Sequence, residues 1–336
     1  MKKRYWIAGA VGVAACAAVT AKLLSRPAEV LWDDHAQQIP HASHSRFALI
    51  EGARVHYQEA GAVDAPPLVL IHGFCASTHV WRNVFLPLVE NGFRVIVPDL
   101  LGYGFSEKPR AGVYTFDSQA RMIALLMEHL KIESATLVGS SYGGAVAATC
   151  ALDFPEKVLK LVLVGAVIND EPVRQPMARL VTAPLIGDLL TPFMVDSERL
   201  SRWRQKRKIW SEGSPLAFDE VRIQARHLPL RSSSAHRAVL RTLRNWSATR
   251  IQQEAHNIEQ PTLLVWGDSD KEIPLRNGEI LSEAMPDARL VIFRRCGHLP
   301  QEEYPRKFVE LVAQFAASQQ KKMIEERQGE LQLSVT

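Results

Sequence analysis

The sequence predicts an α/β fold: a mainly parallel sheet covered by helices on both faces and interrupted by a helical cap. Three observations lead there. Short continuous apolar runs recur, each ended by a turn signal, as strands buried on both faces require. Segments with helical spacing alternate with those runs. The alternation stops between about residues 167 and 257 and then resumes, which marks an insertion into one domain and not a second domain in tandem. The 336 residues suffice for one large domain of this kind. A composition of 47% hydrophobic and 23% charged residues supplies a full core and excludes disorder as the main state.

The elements follow in order. Lys2, Lys3 and Arg4 precede an apolar stretch, residues 5–24, whose one charge is Lys22. A helix of about 20 apolar residues can cross a bilayer. Residues 1–30 are therefore read as a membrane anchor or signal segment. The leading reading is a single-pass anchor with the remaining chain on the extracytoplasmic side, since the basic cluster favours a cytoplasmic amino terminus. A secretory signal cleaved near Ala18 to Ala21 is an alternative. A lipoprotein signal is another, because Val13-Ala14-Ala15-Cys16 is similar to a lipobox. Residues 31–46 are polar, carry His35, His41 and His44 at irregular spacing, and read as a solvated linker. A half-buried strand is expected over 54–59 and buried strands over 68–71, 95–97, 136–139, 161–164, 262–266 and 290–293. Helices are expected over 81–90, 116–130, 145–152 and 308–316. The domain spans 47–318, and 319–336 form a polar tail.

Composition also limits function. A net charge of +4 is small for this length and argues against a nucleic-acid binder. Cys16, Cys75, Cys150 and Cys296 form no CxxC pair and read as free thiols.

Gly139-Ser140-Ser141-Tyr142-Gly143 fits G-x-S-x-G and stands between a buried strand and a small-residue helix. In such a turn the serine is exposed on a strained backbone, the flanking glycines leave no room for a Cβ, and the helix turns its positive end to the nucleophile. A serine hydroxyl needs a base. His298 follows the last strand on a loop and is the candidate. The acid is expected past the strand before it, in Gly267-Asp268-Ser269-Asp270. Asp270 is chosen and Asp268 is the alternative; the acid holds the imidazole tautomer and stabilises its charged form. Two backbone N–H groups are expected to face the oxyanion, those of Tyr142 and Phe74. His72 reads as a structural histidine.

Four motifs occur in order: His72-Gly73-Phe74; Asp99-Leu100-Leu101-Gly102-Tyr103-Gly104-Phe105-Ser106; Gly139 to Gly144; and Gly267 to Asp270 with Gly297-His298. In these the sequence resembles the α/β-hydrolase superfamily, serine-nucleophile branch, over about residues 47–318. With the amino-terminal segment it is similar to membrane-anchored monoacylglycerol lipases and bacterial lipases and esterases. The resemblance implies a catalytic triad Ser141, Asp270 and His298, no cofactor or metal, and a cap over 167–257. Epoxide hydrolases and haloalkane dehalogenases carry aspartate where Ser141 stands, which argues against both activities. The expected function is hydrolysis of carboxylic esters, small or lipid-like, through an acyl-enzyme. The same triad would also serve a carbon–carbon bond hydrolase or a cofactor-free haloperoxidase; a non-catalytic binding protein would not need it. The cap mixes Trp203, Trp210 and Phe218 with Arg202, Arg204 and Lys208, which suits either a lid on an anionic bilayer or a soluble cap with a solvated basic face.

Overall fold

The computed structural model describes residues 28–318. The expected span over 5–24, Cys16 with its lipobox-like run, and the tail after 318 lie outside the described residues. Among the described residues, no helix is long and apolar enough to cross a membrane.

Eight strands form one sheet: β1 (Ser45–Ile50), β2 (Ala53–Ala60), β3 (Pro67–Ile71), β4 (Arg94–Pro98), β5 (Ala135–Ser140), β6 (Val158–Val164), β7 (Thr262–Gly267) and β8 (Ala288–Phe293). Their order is β1-β2-β4-β3-β5-β6-β7-β8. β1 and β2 run antiparallel to their neighbours, and the rest are parallel. Alternate side chains feed two cores. Val69, Ile71, Leu137, Leu161, Leu163, Leu264 and Trp266 pack on one face; Leu68, Leu70, Val138, Val162, Val164, Leu263 and Val265 pack on the other. Burial on both faces is why the strands read as continuous apolar runs.

The helices of the domain are α1 (Phe85–Glu90), α2 (Phe116–His129), α3 (Tyr142–Asp153), α4 (Arg276–Ala284) and α5 (Pro305–Ala317). α2 and α3 cover the first core, and α1 and α5 the second. The expected helix over 81–90 is split into a 3₁₀ turn, Thr78–Trp81, and α1. Between β6 and β7 the chain builds a cap of short helices, among them Pro176–Thr182, Ile186–Asp196, Glu198–Arg204, Glu220–His227 and Ser233–Arg244. It fills the chain between the end of β6 at Val164 and the start of β7 at Thr262.

Two expectations need correction. β1 had no strand signal, because Leu49 is an exposed apolar residue that blurs the alternation. A two-residue turn with positive φ at Glu51 (46°) and Gly52 (81°) folds it back on β2, the geometry that matches strand twist. Residues 31–46 are not a solvated linker. The Trp32 ring lies 4.9 Å from that of His56 and 5.1 Å from that of Phe105. His41 Nε2–H donates to the Arg82 carbonyl at 2.8 Å, and Gln58 donates to the Pro40 carbonyl at 2.7 Å. One aromatic and a few hydrogen bonds seat a segment whose polarity suggested freedom.

Register brings the carboxyl ends of five strands to one edge. Ile71 pairs with Gly139, Ser140 with Val164, Val164 with Val265, and Gly267 with Phe293. The residues that follow each strand therefore meet at that edge, where open parallel sheets bind ligands.

Candidate active site

Ser141 joins β5 to α3 with φ 57° and ψ −117°, a region that costs a non-glycine residue roughly 1–3 kcal/mol. Its surroundings enforce the strain. A Cβ on Gly139 would lie 2.2 Å from the Gly143 carbonyl oxygen, and one on Gly143 would lie 2.3 Å from that of Ile71. One on Gly144 would meet the Ala166 Cβ at 2.6 Å. The Ser141 N–H donates to the Val164 carbonyl at 2.8 Å. Its side chain caps no helical N–H, so Oγ is not spent on the helix.

The expected oxyanion donors stand on either side. Tyr142 opens α3, so its N–H belongs to the first turn, which lacks intrahelical acceptors. Phe74 follows Gly73, whose Cβ would lie 3.1 Å from Ser141 Cβ. His72 holds this turn. Its Nδ1–H donates to the Gly73 carbonyl at 2.8 Å, and its Nε2 accepts the Leu100 N–H at 3.0 Å. Burial pushes its pKa down, consistent with the neutral tautomer those two bonds need. Cys75 is next in line, but burial pushes its thiol up to about 12, so it offers no thiolate beside the serine.

Asp99 organises the loops behind. Its carboxylate accepts from His56 Nδ1 at 2.7 Å, Thr78 N at 2.7 Å and Phe105 N at 2.9 Å. Burial works against its charge, but His56 and these donors hold it at about 2.

His298 and Asp270 meet next to Gly165. The His298 Nδ1–H donates to Asp270 Oδ2 at 2.7 Å, which leaves Nε2 as the ring's acceptor. Asp270 Oδ1 accepts the N–H groups of Glu272 at 2.8 Å and Ile273 at 2.9 Å, so the carboxylate is fixed at both oxygens. Asp268 does not face the imidazole: it accepts from Ser269 Oγ at 3.0 Å in its own turn and from Cys296 N at 3.4 Å in the loop after β8. Gly165 has φ 50°, and a Cβ there would lie 3.2 Å from both Asp270 Oδ2 and His298 Nδ1. It immediately follows Val164, whose carbonyl holds Ser141.

Burial would lower the His298 pKa. The facing Asp270 carboxylate and then Glu272 outweigh it, Arg204 opposes them, and the net result lies above the usual imidazole value of 6.5. Glu272 is paired with Arg204 of the cap. Glu272 had no signal in the sequence and Arg204 read only as one of the cap's basic residues, because their pairing depends on the cap reaching the loop after β7. Gly165 and Trp246 were missed likewise. The Trp246 ring lies 5.8 Å from that of Phe74 and 5.5 Å from that of Tyr142, so a cap aromatic packs on the side chains of both residues expected to donate to the oxyanion. Trp210, expected with the lid aromatics, is buried under Arg222, while Trp203 and Phe218 are exposed.

An alpha/beta hydrolase fold family profile matches residues 66–305. An uncharacterised hydrolase of Bacillus subtilis is 27% identical over 271 residues, covering 79% of this chain and 95% of that one. A 2-hydroxy-6-oxo-6-phenylhexa-2,4-dienoate hydrolase of Burkholderia cepacia is 30% identical over 277 residues, covering 79% and 92%. The crystal structure of a bacterial membrane phospholipase A superposes with a TM-score of 0.69 at 25% identity, covering 94% of this chain and 98% of that one.

Two predictions follow from the carboxylates. Asp270→Asn should lower kcat by about 10⁴-fold, the size of a wrong-tautomer effect, while Asp268→Asn should cost little; steady-state kinetics of both variants gives the ranking. A raised His298 pKa keeps the base protonated to higher pH, so the acid limb of kcat/KM should lie above pH 6.5. Glu272→Gln removes a charge that raises it and leaves Arg204 to lower it further, so the limb should move to lower pH.

Proposed function

The chain belongs to the α/β-hydrolase family, and on that premise we propose that it is a serine hydrolase that cleaves carboxylic esters through an acyl-enzyme. The observation that carries this reading is the strained Ser141 at the strand–helix crossing, together with a buried imidazole, His298, bonded to one carboxylate at the same edge of the sheet. Ser141 Oγ attacks the ester carbonyl carbon as His298 Nε2 takes its proton. The oxyanion receives the N–H groups of Phe74 and Tyr142; a donor of this type is worth about 3 kcal/mol of barrier. His298 then gives the proton to the leaving alcohol, and water attacks the acyl-enzyme by the same path in reverse order. Asp270 holds the tautomer and stabilises the imidazolium. No cofactor is needed for this chemistry.

A second reading has its own support. The Burkholderia cepacia relative is named for a dienoate, an acidic substrate, and this chain carries cationic charge near the oxyanion turn. Arg204 and Arg226 of the cap both lie near this turn, paired with Glu272 and Glu302. A carbon–carbon bond hydrolase of acidic ring-cleavage products would suit such a charge and the same triad.

For the ester reading we favour lipid-like substrates. The cap exposes Leu185 and Val221, each 78% accessible, with Phe218 and Trp203. Residues 198–208, which include Trp203, hold six cations and one carboxylate, of which Arg202 and Arg204 are paired with Glu220 and Glu272. Anionic head groups attract such a surface at about 1 kcal/mol per nearby Lys or Arg. With residues 5–24 as a single-pass anchor, the catalytic domain would stand on the extracytoplasmic side, close to lipid esters.

A fluorophosphonate probe should label the wild type and not Ser141→Ala, and equal labelling of both would remove the serine from the chemistry. Esters of graded acyl length, run against a ring-cleavage dienoate, then decide the reaction: faster turnover of the dienoate would replace the ester reading. For the anchor, full-length protein should sediment with membranes and resist high-salt extraction; release by salt alone would leave only a surface attachment.

A further inference from the structure

We propose that Glu303 is a positioning residue, which locks the His298 loop to residues 209–211 of the cap and so keeps the imidazole in its working place. The proposal rests on the serine-hydrolase reading of Ser141 and His298.

The contacts form a continuous bridge. Glu303 Oε1 accepts the Gly297 N–H at 2.7 Å and the Ser211 N–H at 3.3 Å. Its Oε2 accepts the Ser211 hydroxyl. One residue on, the His298 N–H donates to the Ile209 carbonyl of the cap at 2.7 Å. The two backbones touch: a Cβ on Gly297 would lie 2.4 Å from the Ile209 oxygen and 2.7 Å from Ser211 N. Ile209 and Trp210 pack with Leu299 in a small buried cluster of their own. Thus the ring of His298 is held by Asp270, but its peptide is held by the cap, and Glu303 ties the two chains together.

Glu303 is itself on a firm platform. It ends the single turn Pro300–Glu303, and its N–H donates to the Leu299 carbonyl at 3.0 Å. Its neighbour Glu302 is buried and accepts from Arg82 at 2.8 Å, with Arg222 of the cap at 2.9 Å from the same oxygen. Two adjacent carboxylates therefore face the cap, one bound to guanidinium groups and one to the histidine loop. Losing the second would leave the Gly297 N–H and the Ser211 hydroxyl without their acceptor. The loop would relax, and a displacement near 1 Å at a reacting group costs about 10²-fold in rate.

The test compares full-length wild type, Glu303→Ala, Glu303→Gln and Ser211→Ala. The readouts are the fluorophosphonate labelling rate, and kcat and KM on a p-nitrophenyl ester per labelled site. Glu303→Ala should lower kcat and the labelling rate by the same factor, about 30- to 100-fold, with KM unchanged. Its acid limb should stay at the wild-type pH, since the Asp270 and Glu272 carboxylates that raise the His298 pKa are left in place. Glu303→Gln should restore most of the rate, because an amide oxygen still accepts from Gly297 and the amide nitrogen donates to the Ser211 hydroxyl. Ser211→Ala should fall between. Wild-type kcat per labelled site in Glu303→Ala, whatever its Tm, would overturn the proposal, and so would Glu303→Gln as slow as Glu303→Ala. Should Glu303→Ala not fold, a wild-type rate in Ser211→Ala would overturn it instead. A wild type that resists the probe would overturn the serine reading itself, and this proposal with it.

Discussion

The site depends on a crossing of backbones that admits no side chain. Where β5 turns into α3, Gly139 lies against Gly143, Gly143 against the end of β3, and Gly144 against Ala166. Each contact is closer than a Cβ allows. The crossing drives Ser141 into its unfavourable conformation, at roughly 1–3 kcal/mol. The strain persists because the flanking strands are buried and hydrogen-bonded on both sides and the Ser141 N–H is held by Val164. A looser turn would let the serine relax into an ordinary helix cap, with its hydroxyl bonded to the helix.

Around this crossing, buried polar groups do what apolar packing cannot: they fix loops that have no secondary structure of their own. Asp99 gathers His56, Thr78 and Phe105, and His72 joins the turn after β3 to Leu100. Burying a carboxylate is costly unless its oxygens are satisfied. Asp99 has three donors and stays ionised. Removing one partner would leave a buried charge short of a donor, so the cluster orders the oxyanion side as a unit. On the opposite side Asp270 has the same character, with one oxygen for two backbone donors and one for the imidazole.

The cap contributes more than a cover. Arg204 reaches down to Glu272, Trp246 packs beside Phe74 and Tyr142, and Ile209 accepts the peptide N–H of His298. The part of the cap around residues 204–211 is thus bonded to the base's surroundings. The exposed apolar residues lie largely on other cap helices, Leu185 and Ile186 around the start of Ile186–Asp196 and Val221 on Glu220–His227. One insertion therefore combines a region tied to the histidine loop with apolar side chains exposed on its outer side.

The sequence alone determined whatever rests on local pattern. Leu68 to Ile71 or Thr136 to Gly139 reads as a buried strand because its neighbours on both faces must be apolar. G-x-S-x-G marks a sharp strand-to-helix turn because only glycine fits at Gly139 and Gly143. His298 could be picked by its place after the last strand. Asp270 could be preferred over Asp268 only by its place past Gly267; which of two carboxylates two residues apart faces the imidazole is decided by the loop's course in the tertiary structure. The same holds for β1, whose exposed Leu49 hid its alternation, and for residues 31–46, which Trp32 fastens to the domain. It holds for Glu272, Arg204, Gly165 and Glu303 as well. Their significance lies in contacts across 68 to 133 residues of chain — Gly165 with His298, Arg204 with Glu272, Glu303 with Ser211. Periodicity and spacing report only what a residue meets within a turn or a strand. Which distant loops share one edge is set by sheet register and by how the cap folds back, and only the folded chain decides that.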